Sequence, residues 1–312
     1  EVGGCFVQGG SEVASINMVY GAAAAGVRAM TGSSSPGISL KSEGISYLSA
    51  AELPAVIVNM QRGGPGLGSI QPAQQDYIQA TKAAGHGGFR MLVFAPYTVQ
   101  EAVDIVYDAP EYAERDRSPV MILMDGCLGT MMEEVELPPM KELPESPCKS
   151  WTVGYDGTKR GGHLITPIYP EAGLEGKNKL AVQRTKRWEE NDVRVEEFMV
   201  EDAEWVIVAY GISARVAKQV VIDLREEGIK LGLIRPITLF PFPKKSIANL
   251  DYTKVKGLID IEMSIPAHMR EDIELQVLGR APVYEYGRSG GILLDDESTK
   301  AAVRKIIEGG EQ

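Results

Sequence analysis

Short apolar runs recur along the chain and alternate with segments whose apolar residues have helical spacing. The run at residues 55–60 is the most informative, because it is short, rich in β-branched side chains and apolar on both faces. A strand of this kind is buried on both sides, as it is in a parallel sheet covered by helices. The chain is therefore predicted to be an α/β protein built on parallel sheets.

The first part of the chain, up to about residue 125, predicts one complete unit of this type. Ser11 is a favourable N-cap for the first helix, and Gly26 follows its end. The predicted strands are residues 28–31, 55–60, 91–94 and 120–124, and the predicted helices are residues 11–25, 40–51, 74–84 and 99–107.

A second unit begins near Trp205, after a segment of different composition. Its predicted strands are residues 205–211, 230–234 and 255–261, and its predicted helices are residues 216–224 and 300–307. Residues 135–200 between the units are rich in proline, glycine and charge, which predicts a long irregular connector lying on this chain or on a partner. We expect domains at residues 1–135 and 202–312, joined by an extended connector at 136–201.

Charge and cysteine content exclude several functions. The formal net charge is −11 and no basic block occurs, so nucleic acid is not an expected partner, and no apolar run is long enough to span a membrane. Cys5, Cys127 and Cys148 have no metal-binding spacing, so we expect no disulfide, zinc or iron–sulfur site on this chain. Glu1 is not an initiator Met, and the next residues do not resemble a signal peptide, so we expect the numbering to begin inside a longer, cytoplasmic protein.

The segment directly after the strand at 55–60 is the strongest candidate for a binding loop. It contains Arg62 and four glycines, Gly63, Gly64, Gly66 and Gly68. Glycines permit close approach of the backbone to a ligand, and an arginine offers a planar charged fork to a carboxylate or phosphate. The spacing fits neither a Walker loop nor a dinucleotide fingerprint. The alternative is a flexible surface loop with a solvated arginine.

Four other candidates have both a functional and a purely structural explanation, and composition and pattern do not decide between the two. Glu12 lies in the first turn of a helix, where the helix dipole alone favours a carboxylate. The serine-rich turn at 33–37 offers hydroxyls and amides to an anion, although most such turns are only turns. His86 is either an acid–base group or a solvated loop histidine, and Arg235 is expected to anchor a strand end.

Several stretches together resemble the alpha subunit of 2-oxoacid:ferredoxin oxidoreductases. The stretches that carry this resemblance are residues 12–18, 34–37, 56–65 and 234–243, which cover both domains in the family's order. Residues 66–76 and 85–90 are more similar to the branched-chain, 2-oxoisovalerate (3-methyl-2-oxobutanoate) branch of that family.

The resemblance implies a fold of two parallel-sheet domains similar to the pyrimidine-binding and C-terminal domains of transketolase. It implies a cytoplasmic, anaerobe-type enzyme that converts a branched-chain 2-oxoacid and CoA into acyl-CoA and CO2 on thiamine diphosphate and reduces ferredoxin. Thiamine diphosphate would be shared with a beta subunit, and gamma and ferredoxin-like delta subunits would complete a hetero-oligomer. Mg²⁺ and [4Fe-4S] clusters are expected on these partners, with no metal on this chain.

The resemblance also assigns roles to particular residues. Glu12 corresponds to the glutamate that bonds the aminopyrimidine ring of the cofactor, and Arg62 to the arginine that holds the substrate carboxylate, which makes both catalytic candidates. The other expected cofactor-binding residues are Ser34, Ser35, Pro36 and Gly37, and the other expected substrate-binding residues are Gly63 and Gly64.

Two segments depart from the family pattern, and other functions remain open. Residues 1–10 have no counterpart of a Tyr-Pro-Ile-Thr-Pro-like motif, and residues 262–269 differ from a Glu-Met-Ser-x-Gly-Gln-Met-like loop. The alternatives are a 2-oxoglutarate or pyruvate version of the same enzyme, a non-catalytic scaffold subunit that docks other chains, and a nucleotide- or flavin-binding module. Neither the exact 2-oxoacid, nor the subunit stoichiometry, nor the CoA-binding residues follow from the sequence.

Overall fold

The computed structural model describes residues 4–142, 151–153 and 165–309 of the chain. Within these ranges the first half forms α1 Glu12–Ala24, β1 Met30–Ser33, α2 Ser35–Ala50, β2 Ala55–Gln61, α3 Tyr77–Thr81, β3 Leu92–Phe94, α4 Val99–Asp116, β4 Pro119–Asp125 and α5 Gly126–Thr130. The second half forms α6 Glu171–Asn191, β5 Val195–Phe198, β6 Trp205–Val208, α7 Gly211–Glu226, β7 Leu231–Pro236, β8 Thr238–Phe240, α8 Lys244–Ala248, β9 Gly257–Glu262, α9 Arg270–Val277, β10 Val283–Gly287 and α10 Asp296–Ile307.

The strands form two five-stranded sheets, with orders β1-β2-β4-β3-β8 and β10-β9-β6-β7-β5. In each sheet the first four strands are parallel and the last strand is antiparallel to its neighbour. The α/β prediction is confirmed, and β2, β3 and β4 lie where the apolar runs predict them. Ile57, Val93 and Leu123 of the first sheet belong to the same hydrophobic core as Val208 and Leu258 of the second.

The two sheets exchange their antiparallel edge strands. The strand β5 precedes the parallel strands of the second sheet and pairs with β7. The strand β8 lies in the second half of the chain but pairs with β3 of the first sheet. These short strands cover sheet edges that would otherwise expose unpaired backbone groups. β5 thus lies within the expected connector at 136–201, and β8 lies within residues 202–312 although it pairs with the first sheet.

The interpretation of residues 135–200 as irregular is wrong for its later part, which forms α6 and β5. Trp188 of α6 is buried, its indole Nε1 donates a hydrogen bond to Asp116 Oδ2 at 2.7 Å, and its ring contacts Phe240 edge-on. The sequence pattern hides this helix because almost all of its other side chains are polar or exposed, while Trp188 alone is buried. This part of the connector packs on the first domain of its own chain. Cys148 and His163 lie outside the described residues.

The helix α2 begins at Ser35, earlier than the predicted start at residue 40. Ser34 has the extended conformation of an N-cap, and Pro36 lies in the first turn, where a missing N–H costs nothing. The serine-rich segment is therefore the end of β1 and the first turn of α2 rather than a separate turn. Among the described residues, no helix combines the length and the apolar character that crossing a bilayer requires.

Candidate active site

The N-terminal end of α2 is the place where the candidate residues meet. β1 ends at Ser33 and β2 at Gln61, so the segments that follow these parallel neighbours lie at the same edge of the sheet. α2 starts directly after β1, and its first turn is close to the segment that follows β2: Ser35 Oγ accepts a hydrogen bond of 3.0 Å from the Arg62 amide. The first turn of α2 and Arg62 thus form one structural unit.

Glu12 extends from α1 to the first turn of α2. Ser11 caps α1 as predicted, since its Oγ accepts a hydrogen bond of 3.1 Å from the Ala14 amide. A Cβ added to Gly37 would lie 3.1 Å from Glu12 Cγ and 3.2 Å from Glu12 Oε1, and it would overlap the Ser33 hydroxyl. Glycine at position 37 therefore leaves the space into which the glutamate side chain reaches.

The Glu12 carboxylate has no hydrogen-bond donor among the residues that the structure describes, and it is partly exposed. Its position on α1 is explained by the helix dipole, but its placement over α2 is not. The carboxylate is available to bond a group that enters from outside the chain.

Arg62 is held by its backbone, while its side chain is available. Within the described ranges the guanidinium forms no ion pair and no hydrogen bond, and its Nε is buried without a partner. An unpaired buried donor carries the full cost of its desolvation, so such groups are uncommon in folded proteins. The arrangement fits a site that presents a charged fork to a carboxylate.

Asp76 is a functional candidate that the sequence reasoning missed, although it lies in one of the stretches that carry the family resemblance. This buried carboxylate accepts hydrogen bonds from Ser35 Oγ at 2.5 Å and Asn59 Nδ2 at 3.0 Å, and its amide donates to Gln61 Oε1 at 3.1 Å. Burial raises the pKa of Asp76, and the hydrogen bonds from Ser35 and Asn59 oppose that rise. Asp76 thereby ties α2 to β2. Its only sequence signal is a carboxylate near the start of the helix predicted at residues 74–84.

The glycine-rich loop uses its own amides to stay folded. The Gly63 amide donates to Gln71 O at 3.2 Å, the Gly63 carbonyl accepts from the Ser69 amide at 2.8 Å, and the Gly64 amide donates to Gln75 Oε1 at 2.7 Å. Gly68 has a φ of +52°, and a side chain there would overlap the Gly63 carbonyl. Gly63 and Gly64 therefore shape the loop that follows Arg62, and their amides are already occupied.

Two other sequence candidates lie elsewhere. The His86 carbonyl accepts from Ser46 Oγ at 2.8 Å, and its ring contacts Tyr47 edge-on, which places it along the later part of α2. At 1.5 Å per residue, the helix separates Ser46 from Ser35 by roughly 16 Å. Arg235 is buried and paired with Glu101 at 2.9 Å and Glu196 at 2.7 Å, so its predicted anchoring role is confirmed.

The loop that departs from the family pattern reaches towards the same site from the second domain. The Glu262 carboxylate accepts hydrogen bonds from the amides of His268 at 3.2 Å and Met269 at 2.6 Å. Burial raises the pKa of Glu262 to about 7. Burial lowers the pKa of His268, while the negative charge of Asp76 opposes this shift. The second domain therefore contributes a histidine near Asp76.

Thiol and metal chemistry find no support in the described part of the chain. Burial and the neighbouring Asp125 raise the pKa of Cys127 to about 11, which disfavours the reactive thiolate. Among residues 4–142, 151–153 and 165–309, no three His, Cys, Asp or Glu side chains are close enough together to hold a metal ion.

Comparison with known proteins agrees with this geometry. The sequence model of the pyruvate flavodoxin/ferredoxin oxidoreductase thiamine diphosphate-binding family matches residues 2–201, and that of the pyruvate:ferredoxin oxidoreductase core domain II matches residues 203–297. The ketoisovalerate oxidoreductase subunit VorB of Methanothermobacter marburgensis is 50% identical over 98% of this chain and 86% of its own length. The 2-oxoglutarate synthase subunit KorA of Methanocaldococcus jannaschii is 34% identical over 85% of this chain and 77% of its own length.

Solved structures show the same fold. A 2-oxoglutarate:ferredoxin oxidoreductase from Magnetococcus marinus matches with a TM-score of 0.80 and 24% identity, covering 98% of this chain and 57% of that one. The present chain thus spans little more than half of that protein. A split-gene transketolase, in the form of an inactive beta4 tetramer, matches with a TM-score of 0.59 and 16% identity over 97% of this chain and 83% of that one.

Proposed function

Because the chain belongs to the pyruvate flavodoxin/ferredoxin oxidoreductase family, we propose that it is a catalytic subunit of an enzyme that oxidatively decarboxylates a branched-chain 2-oxoacid. The reaction consumes CoA, forms acyl-CoA and CO2, and reduces ferredoxin. The ketoisovalerate relatives support a branched-chain substrate, since VorB proteins are 50% and 48% identical whereas the 2-oxoglutarate KorA proteins reach 34%. The 2-oxoglutarate and pyruvate versions of the enzyme are the alternatives.

The Glu12 carboxylate carries the proposal. It is partly exposed, lies over the space left by Gly37, and meets no donor among the described residues. This fits the aminopyrimidine ring of thiamine diphosphate, a cofactor that supplies a carbanion for the cleavage of 2-oxoacids. Glu12 would bond the ring nitrogen and hold a proton at that atom, which is a form of general acid–base catalysis. Ser34, Ser35, Pro36 and Gly37 would line the same side of the cofactor.

Arg62 would bind the carboxylate of the 2-oxoacid. A bidentate pair with the guanidinium would fix the orientation of the substrate and leave the bond between its first two carbons free to break. Gly63 and Gly64 would shape this side of the pocket through the folded loop they maintain. Asp76 would position both groups indirectly, since Ser35 bonds Asp76 and also the Arg62 amide.

The remaining cofactors would be bound by partner subunits. We propose that a beta subunit shares the thiamine diphosphate and holds its Mg²⁺, that [4Fe-4S] clusters lie on partner chains, and that gamma and ferredoxin-like delta subunits complete a cytoplasmic complex. Exposed apolar side chains in the loop after Arg62 suit such an assembly, because Leu67 is 80% and Ile70 83% exposed. CoA and ferredoxin would bind the assembled complex.

The test uses the native complex purified with this chain. We expect it to contain thiamine and iron and to reduce a viologen dye, in a CoA-dependent reaction, with a higher kcat/KM for 2-oxoisovalerate than for 2-oxoglutarate or pyruvate. If 2-oxoglutarate or pyruvate had the higher kcat/KM, the proposal of a branched-chain substrate would be wrong. A complex without thiamine would refute the proposed activity.

A further inference from the structure

Lys41 is a buried cation next to the candidate site. It lies on α2 and only 2% of it is exposed. Its Nζ donates hydrogen bonds to Thr31 Oγ1 at 2.7 Å and to the Gly32 carbonyl at 3.1 Å, and both of these oxygens are neutral. Within the described part of the chain, no carboxylate lies within ion-pair distance of Lys41. Burying an ammonium group in this way is costly unless nearby charge compensates for it.

The geometry of α2 brings Lys41 towards Glu12. Lys41 is four residues after Gly37, so the two positions share one face of the helix, and side chains on a helix lean towards its N-terminus. The Glu12 carboxylate occupies that face, because Glu12 Oε1 is 3.2 Å from the position of a Cβ on Gly37. The ammonium group is fixed at the end of β1, directly before Ser33, whose hydroxyl borders the same space. Lys41 and the space that Glu12 occupies beside Gly37 therefore lie on the same face of α2, next to the end of β1.

The electrostatics agree with this placement. Burial lowers the pKa of Lys41, and the negative charge of Glu12 opposes that shift. An ammonium group has three donors, and two of them bond neutral oxygens of β1. The buried positive charge of Lys41 therefore interacts with the partly exposed negative charge of Glu12.

We propose that Lys41 is a positioning residue that fixes the orientation of the Glu12 carboxylate at the first turn of α2, from which it would bond the cofactor. This inference rests on the role proposed for Glu12. A nearby fixed cation attracts the carboxylate and limits the directions it can take, so its oxygen would stay aligned with the ring nitrogen of the cofactor. Lys41 would act through Glu12 and would touch neither the cofactor nor the substrate.

The test is a double-mutant cycle in the native complex, using Lys41→Met, Glu12→Gln and the pair. We expect Lys41→Met to lower turnover about tenfold or more, to keep thiamine diphosphate bound, and to change the circular dichroism band of the bound aminopyrimidine. Adding Lys41→Met to Glu12→Gln should cause no further loss, because the charge that Lys41 acts on is already absent. Lys41→Gln, which keeps a donor but no charge, should behave like Lys41→Met.

Thr31→Val is the matched control, since it removes one hydrogen bond of Lys41 and leaves the charge in place. We expect its turnover and dichroism to stay close to those of the unmodified complex. The proposal is overturned if Lys41→Gln has normal turnover, if the loss is equally large in the Glu12→Gln background, or if Thr31→Val reproduces it. Normal turnover of Glu12→Gln alone would instead refute the proposed function.

Discussion

Polar groups at the N-terminal end of α2 and polar groups between the two sheets differ in whether the chain itself satisfies them. At the site, the Glu12 carboxylate and the Arg62 guanidinium have no hydrogen-bond partner among the described residues. Between the sheets, Gln74 is fully buried and uses both ends of its side chain: Nε2 donates to Tyr210 O at 2.8 Å, and Oε1 accepts from the Met263 amide at 2.9 Å. Arg235 similarly joins Glu101 of the first domain to Glu196 of β5.

This difference distinguishes residues that stabilise the fold from residues whose polar groups are free to bind a ligand. A buried polar group that is fully bonded stabilises one arrangement of the chain, whereas an unbonded one is a net cost. We use the name domain seam for three buried residues, Gln74, Arg235 and Glu262. Gln74 and Arg235 join the two halves of the chain, and Glu262 holds the loop that follows β9. Substitutions at the site should lower turnover without changing the free energy of unfolding. Substitutions at the domain seam should lower the free energy of unfolding and have less effect on turnover.

Glu12→Gln should have the largest effect. Loss of a general acid–base group typically slows turnover by 10²–10⁴, so we expect a fall of about 1,000-fold, roughly 4 kcal/mol in the activation barrier. The melting temperature should not change. Glu43→Gln is the matched control, because that exposed glutamate on α2 bonds only Tyr47 in the described structure. A parallel loss in both variants would contradict the distinction drawn here.

Arg235→Met should destabilise the protein most. Its 4%-exposed side chain pairs with two carboxylates. Removing it leaves Glu101 with no cation partner among the described residues and removes one of the two cations that pair with Glu196. We expect the free energy of unfolding to fall by about 3 kcal/mol, as measured by denaturant titration. Lys254→Met, which removes an exposed pair with Asp251, should cost far less, because exposed ion pairs contribute little to stability. Equal losses in the two variants would show that burial of the Arg235 pairs does not matter.

Arg62→Lys should affect substrate binding and leave stability unchanged. Lysine keeps the charge but cannot form the two parallel hydrogen bonds of a guanidinium with a carboxylate. The loss of about 2 kcal/mol expected for one charge-assisted hydrogen bond lowers kcat/KM roughly 30-fold. Steady-state kinetics with varied 2-oxoacid concentration measure this change. An unaltered kcat/KM would exclude bidentate binding by Arg62.

Glu262 should make the stability of the domain seam depend on pH. Burial raises the pKa of Glu262 from 4.5 to about 7, so the folded protein binds this proton more tightly than the unfolded chain does. Its contribution is fully present below about pH 4.5 and is lost as pH rises through about 7. Asp260, fully buried on the same face of β9, also has a raised pKa and shares in this effect.

Glu262→Gln should therefore reduce the pH dependence of unfolding. Between pH 5.5 and 7 the unmodified protein should lose up to about 2 kcal/mol through this carboxyl, at 1.36 kcal/mol per pH unit. Asp76 and Asp125, whose pKa values are also raised, remain in both proteins. The pKa of Asp260 is raised partly by the charge of Glu262, so the difference between the two titrations reports on the Glu262–Asp260 pair. Identical pH profiles would show that Glu262 is already ionised across this range.

The sequence predicts the parallel core but not the contacts between distant parts of the chain. The runs that form β2 and β4 are unmistakable because they are buried on both faces. β8 and β5 are too short to show a periodicity, and their pairing depends on neighbours far away in sequence. The glycine-rich loop alone makes Arg62 a candidate, and the family resemblance adds Glu12. Asp76 and Lys41 become visible only when their hydrogen-bond partners are known. A buried lysine on an otherwise apolar helix face cannot be distinguished from an exposed one by composition.

The exchanged edge strands mean that this chain cannot be divided into two independently complete halves. A break in the loop at residues 199–204 would leave β5 on the N-terminal fragment and its neighbour β7 on the C-terminal fragment. It would also leave β3 on the N-terminal fragment and its neighbour β8 on the C-terminal fragment. Each fragment would carry the last strand of the other's sheet. A gene split at this point would thus encode two polypeptides that recognise each other by reciprocal strand addition. Each sheet would lack its antiparallel edge strand until the two polypeptides associated.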